Sequence, residues 1–75
     1  MEQVLGEAEL SFEHIKFEVS TRYPSVGFLQ AVAYIGLEHE KEVGLGKLIL
    51  ELPVCRMTWT LEQSDCVSCG WTATL

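Results

Sequence analysis

Basic side chains are scarce in this chain: five Lys and Arg stand against eleven Asp and Glu, a formal charge of −6 over 75 residues. Binding to nucleic acid draws on clustered cations that neutralise phosphates, and no such cluster is present, so direct nucleic-acid binding is not expected. Asp65 is the sole aspartate, and His14 and His39 are the only histidines. A Ser-His-Asp triad would need one of those histidines brought beside Asp65 and Ser64 or Ser68. Glu13-His14 and Glu38-His39-Glu40 put acid next to base, but neighbours on a strand point to opposite faces. The chain is therefore read as non-enzymatic. Gly44-Leu45-Gly46-Lys47 lacks the spacing of a phosphate-binding loop and the hydroxyl residue that follows it. No run approaches ~18 consecutive apolar residues, so no membrane span is expected. Residues 1–20 show no basic start followed by a long apolar stretch, and the expected location is cytoplasmic.

What the chain has in quantity is apolar surface. Apolar residues make up 48% of it and the mean hydropathy is +0.19. A single domain of this size, here residues 1–75, buries only roughly 60–65% of the surface its unfolded chain exposes. The surplus points to a homo-oligomer, a homodimer in its simplest form, or to a contact face for another protein.

Alternation dominates the pattern. Ala8, Leu10 and Phe12 oppose Glu7, Glu9 and Ser11, and then Ile15, Phe17 and Val19 oppose Lys16, Glu18 and Ser20. Both read as half-buried strands, with a bulge or tight turn at Glu13-His14. Tyr23-Pro24-Ser25 is a turn. Residues 26–43 admit two readings. As a strand, Leu29, Ala31, Ala33, Ile35 and Leu37 share a face, with His39–Glu42 as a hairpin loop. As a helix, Ser25 would cap it and Gly44 would end it. The strand is preferred because so small a protein has little with which to surround an apolar helix. Leu48, Leu50 and Leu52 form the next strand, ended by Pro53. Cys55, Met57, Trp59 and Leu61 follow on one face of another, then a turn at 62–65 and a last strand to Leu75. The expected fold is all-β, a small antiparallel meander of five or six strands curled or folded as a sandwich, with α+β as the alternative if 26–43 is helical.

Cysteine is confined to the C-terminal third, at Cys55, Cys66 and Cys69. A cytoplasmic chain keeps thiols reduced, and alternation among Met57, Trp59 and Trp71 makes these cysteines small core residues. Cys66-Val67-Ser68-Cys69-Gly70 resembles the metal knuckle of rubredoxins and zinc ribbons over five residues, without the second knuckle. That resemblance opens an alternative in which Cys66 and Cys69, with Cys55 across the terminal hairpin and His39 or His14 as a fourth ligand, hold a structural zinc; otherwise no cofactor is expected.

The acidic residues carry the functional expectation. Glu7, Glu9, Glu13 and Glu18 fall on one solvent face of the strand reading, and Glu38, Glu40 and Glu42 in its loop. Such carboxylates keep a hydrophobic domain soluble, and they also suit a protein partner with a basic surface. The chain is read as a small acidic protein-binding module. In size and charge it is similar to phage-encoded inhibitors of nucleic-acid-handling proteins, anti-CRISPR proteins among them, and that likeness implies a phage accessory protein acting through its acidic face.

Overall fold

The computed structural model describes residues 11–66 and 71–74. They form two helices followed by four short antiparallel strands, so the protein is α+β and not all-β. The first helix, α1 (Phe12–Arg22), starts where Ser11 is extended and its hydroxyl accepts the His14 amide at 3.1 Å. That bond satisfies one of the amides a helix start leaves unpaired. Ile15 and Val19 are buried, with Phe12 and Tyr23 half-buried against the same core. Their spacing of three, four and four residues makes one helical stripe. The helix stops at Tyr23, because the residue before a proline disfavours helical backbone; its amide still reaches Val19 O at 3.0 Å.

This overturns the strand expected over 15–19. Alternation and helical spacing share Ile15 and Val19, and Phe17 separates them: a strand would bury it, whereas it is 63% exposed. The strand expected over 7–12 lies outside the described residues, apart from Ser11 and Phe12, which cap and open α1.

The second helix, α2 (Phe28–Val43), bears out the helical alternative for 26–43. It begins at Gly27 instead of Ser25, and it ends at Gly44, whose φ of +71° is left-handed and whose amide donates to Glu40 O at 2.7 Å. Glycine takes that conformation without a Cβ clash. His39–Glu42 is therefore the last turns of a helix and no hairpin loop. The strand preference failed because this helix does have cover. Its flanks meet α1 and strands β2 (Arg56–Trp59) and β3 (Gln63–Cys66), so Ala31, Val32, Ala33, Ile35, Gly36 and Leu37 are all buried.

With β1 (Leu48–Glu51) and β4 (Trp71–Thr74), these strands make a sheet in the order β1-β2-β3-β4, every neighbouring pair antiparallel. Leu48, Leu50, Met57, Trp59, Ser64 and Cys66 share its buried face. Glu51, Arg56, Thr58 and Asp65 alternate onto the other, where Glu51 and Arg56 are register partners in an ion pair at 3.5 Å. Pro53-Val54 joins β1 to β2, bracketed by a bond from Leu52 N–H to Cys55 O at 2.7 Å. Leu61-Glu62 joins β2 to β3, bracketed by Thr60 N–H to Gln63 O at 2.7 Å. The second turn is earlier and shorter than the one expected at 62–65, since Gln63–Cys66 is already strand. Leu61 consequently leaves the core for solvent.

Candidate functional site

Helical spacing puts His14, Glu18 and Arg22 on one line along α1, four residues apart. On α2, Ile35, Glu38, His39 and Glu42 line up in the same way, three and four apart. Because α1 packs on α2, the two lines face each other across an open groove of about 150 Å³. Both histidines of the chain lie in it.

Ion pairs of Arg22 bridge the groove. His14 Nε2 stands 3.8 Å from Glu18 Oε2, and Arg22 Nη1 3.5 Å from Glu18 Oε1. Arg22 Nη2 donates across to Glu38 Oε1 at 2.7 Å, a charge-assisted bond that ties α1 to α2. The Glu38 hydrogen bond is the chief cause raising the Arg22 pKa above its ordinary value. The guanidinium also lies 5.2 Å from the centre of the Tyr23 ring, and the Tyr23 and Tyr34 ring centres are 5.5 Å apart. Arg22 is thus committed to Glu18 and Glu38, and three carboxylates facing one guanidinium leave the groove a formal −2 with neutral imidazoles.

The residues singled out from the sequence scatter. Glu18, Glu38 and Glu42 meet in the groove. Glu13 is exposed in the first turn of α1, five residues before Glu18 and so about 140° around the helix from it. The single face imagined for the N-terminal carboxylates therefore does not hold between these two. Glu7 and Glu9 lie outside the described residues. Glu40 is fully buried on the core side of α2, where its Oε2 accepts the Gly46 amide at 2.6 Å, and it is withdrawn from any docking surface. Sequence reasoning passed over Arg22 and His14 as partners of this groove. Their signal was the spacing 14-18-22, which counts only once the segment is helical.

The cysteines also divide. Cys55 and Cys66, both buried, are joined as a disulfide with their Cα atoms 6.0 Å apart, against the expectation of reduced thiols. Cys66 sits opposite Met57 in the register, and Cys55 lies two residues from Met57 on the same face. Cys69 lies outside the described residues, and His39 lines the interhelical groove. Among the described residues no three His, Cys, Asp or Glu side chains converge on a point that could hold a metal ion. A disulfide across a sequence separation of 11 is worth about 2–3 kcal/mol of restricted unfolded chain. Reduction is expected to lower the stability by that amount, read in urea denaturation as a lower midpoint with a slope that rises as the unfolded chain expands.

Exposed apolar side chains are spread out. Val54 and Leu61 occupy the loops at opposite ends of β2, and Phe17 projects from α1. No helix among the described residues is long and apolar enough to cross a membrane. Compared with protein-family models, with curated proteins and with solved structures, the chain finds no match.

Proposed function

We propose that the chain is a non-catalytic protein-binding module that docks on a basic partner surface in the cytoplasm, with the α1–α2 groove accepting a cationic side chain. The observation that supports this reading is the excess of carboxylates in the groove. Arg22 already engages Glu18 and Glu38, while Glu42 completes a formal −2 in a chain whose total is −6. A carboxylate-lined cleft attracts cations by long-range steering and holds a lysine or arginine by charge-assisted hydrogen bonds. A basic groove built to hold nucleic acid is one surface of that chemistry, which would make the module an inhibitor.

Glu42 is the residue to test, because it is exposed and its replacement leaves the Arg22 clamp intact. Glu42→Lys is expected to weaken binding of a lysine-rich peptide about fivefold at low salt, with an unchanged circular dichroism spectrum. Binding that ignores both this reversal and a rise in salt from about 0.05 to about 0.5 M would overturn the reading.

A further inference from the structure

We propose that the outer edge of β1 is a self-association surface. A second copy of the chain pairs antiparallel along it, Ile49 against Ile49, with Lys47 of each copy opposite Glu51 of the other. Among the described residues β1 ends the sheet and has β2 as its strand neighbour. The register fixes which of its backbone groups β2 takes up. Leu52 N–H bonds Cys55 O at 2.7 Å and continues the β1–β2 ladder, in which Leu50 faces Met57 and Leu48 faces Trp59. Hydrogen-bonded positions alternate along an antiparallel strand, so Leu48 and Leu50 direct their N–H and C=O to β2. Those of Lys47, Ile49 and Glu51 point the other way. A row of such groups along an edge is a template for one more strand.

The edge is complementary to itself. Lys47-Leu48-Ile49-Leu50-Glu51 carries opposite charges at its two ends, equally far from Ile49. About a twofold axis at Ile49, each residue whose backbone points outward meets another of the same kind, so every meeting exchanges a pair of backbone bonds. The same residues share the outer face of the sheet, where Lys47 and Glu51 are exposed and Ile49 is half-buried. Opposite charges directly across two strands stabilise the pairing, and like charges oppose it. Glu51 is already 3.5 Å from Arg56 of β2, so Lys47 of the second copy gives it a cation on both flanks. A slip of two residues either way sets a charge opposite Ile49 instead. Gly46, with a left-handed φ of +97°, and Pro53, which has no N–H, bound the ladder at its ends. Charges on an edge strand commonly block the addition of another strand. Here their spacing selects one register of one partner, a second copy.

The test uses the full chain in sedimentation equilibrium at low salt over a concentration series. Wild type is expected to show a monomer–dimer equilibrium. Lys47→Glu and Glu51→Lys each turn both attractive pairs repulsive, and each is expected to weaken self-association roughly tenfold or more. Mixed together, the two variants are expected to form a heterodimer with the affinity of wild type, because each supplies the charge the other lacks. A wild type that stays monomeric up to about 1 mM overturns the inference. So does a dimer indifferent to both reversals, or a mixture that fails to recover. Hydrogen exchange in wild type reads the same edge without a variant. The amides of Lys47, Ile49 and Glu51 should gain protection as concentration rises, while that of Leu52, already bonded to Cys55, serves as reference. Unchanged exchange at Lys47, Ile49 and Glu51 while dimers form also overturns it. The edge lies on the sheet and the groove between the helices, so this reading and the proposed function stand or fall separately.

Discussion

Gly36→Ala is expected to destabilise the protein by about 3 kcal/mol or more, although helix propensity alone predicts a gain of about 1 kcal/mol. The sign is set by Trp59. A Cβ at position 36 would fall inside the indole, overlapping Cε2, Nε1 and Cδ2. The ring has nowhere to go: Trp59 is fully buried, and its cross-strand neighbours on the same face are Leu48 and Ser64. Close packing makes such overlap costly, since relief requires off-rotamer side chains or a shift of α2 from the sheet. For a domain of this length total stability is roughly 4–11 kcal/mol, so the variant loses a large share of it. Chemical denaturation measures the loss. Gly27→Ala is the control, because a Cβ there meets nothing within 4 Å, and a change within about 1 kcal/mol is expected. The double variant Gly36→Ala/Trp59→Leu should be more stable than the sum of the single losses implies, because the leucine vacates the space the methyl needs. Strict additivity would show that the indole is not what excludes a side chain at 36.

That contact also shows where the sequence stopped being readable. By propensity alone Gly36 argues against a helix over residues 26–43, because glycine is a poor helix former. Its reason is tertiary: it admits a tryptophan twenty-three positions later, on a strand that local patterning does place correctly. Strand alternation at Leu48 and Leu50, and at Cys55, Met57 and Trp59, matches the buried face of the sheet. Those segments were legible because a half-buried strand repeats every two residues. Residues 12–22 were not, because Ile15 and Val19 satisfy both periods, and only the exposure of Phe17 tells them apart. The error propagated to the site. With 12–22 taken as a strand, His14, Glu18 and Arg22 do not read as a row facing a second helix, and Glu13 and Glu18 seem to share a face. The acidic character was legible from composition, and its concentration in a groove was not. The Cys55–Cys66 pairing was hidden by a turn drawn at 62–65, whereas Thr60 and Gln63 bracket a two-residue loop that sets the register.

Glu40→Ala is expected to cost about 2–4 kcal/mol, while Glu40→Gln stays within about 1–1.5 kcal/mol. Glu40 serves the end of α2 twice. Its carbonyl accepts the Gly44 amide at 2.7 Å, and its side-chain Oε2 reaches forward to the Gly46 amide at 2.6 Å. Gly46 itself has φ +97°, so the connector into β1 turns on two left-handed glycines that this one residue holds in place. Truncation to alanine leaves a fully buried volume empty and strands the Gly46 amide, and a stranded donor costs more than a made bond gains. Glutamine keeps the shape and an acceptor oxygen, which is why its effect is smaller. Glu40 Oε1 has no protein partner in the described structure, nor do Trp59 Nε1 and Ser64 Oγ, so the glutamine amide breaks no bond on that side. Hydrogen exchange at Gly46 supplies the local readout: protection should fall in Glu40→Ala and persist in Glu40→Gln. If glutamine proved as damaging as alanine, with Gly46 still protected in both, the bond to Gly46 would not be what retains a fully buried acid at this position.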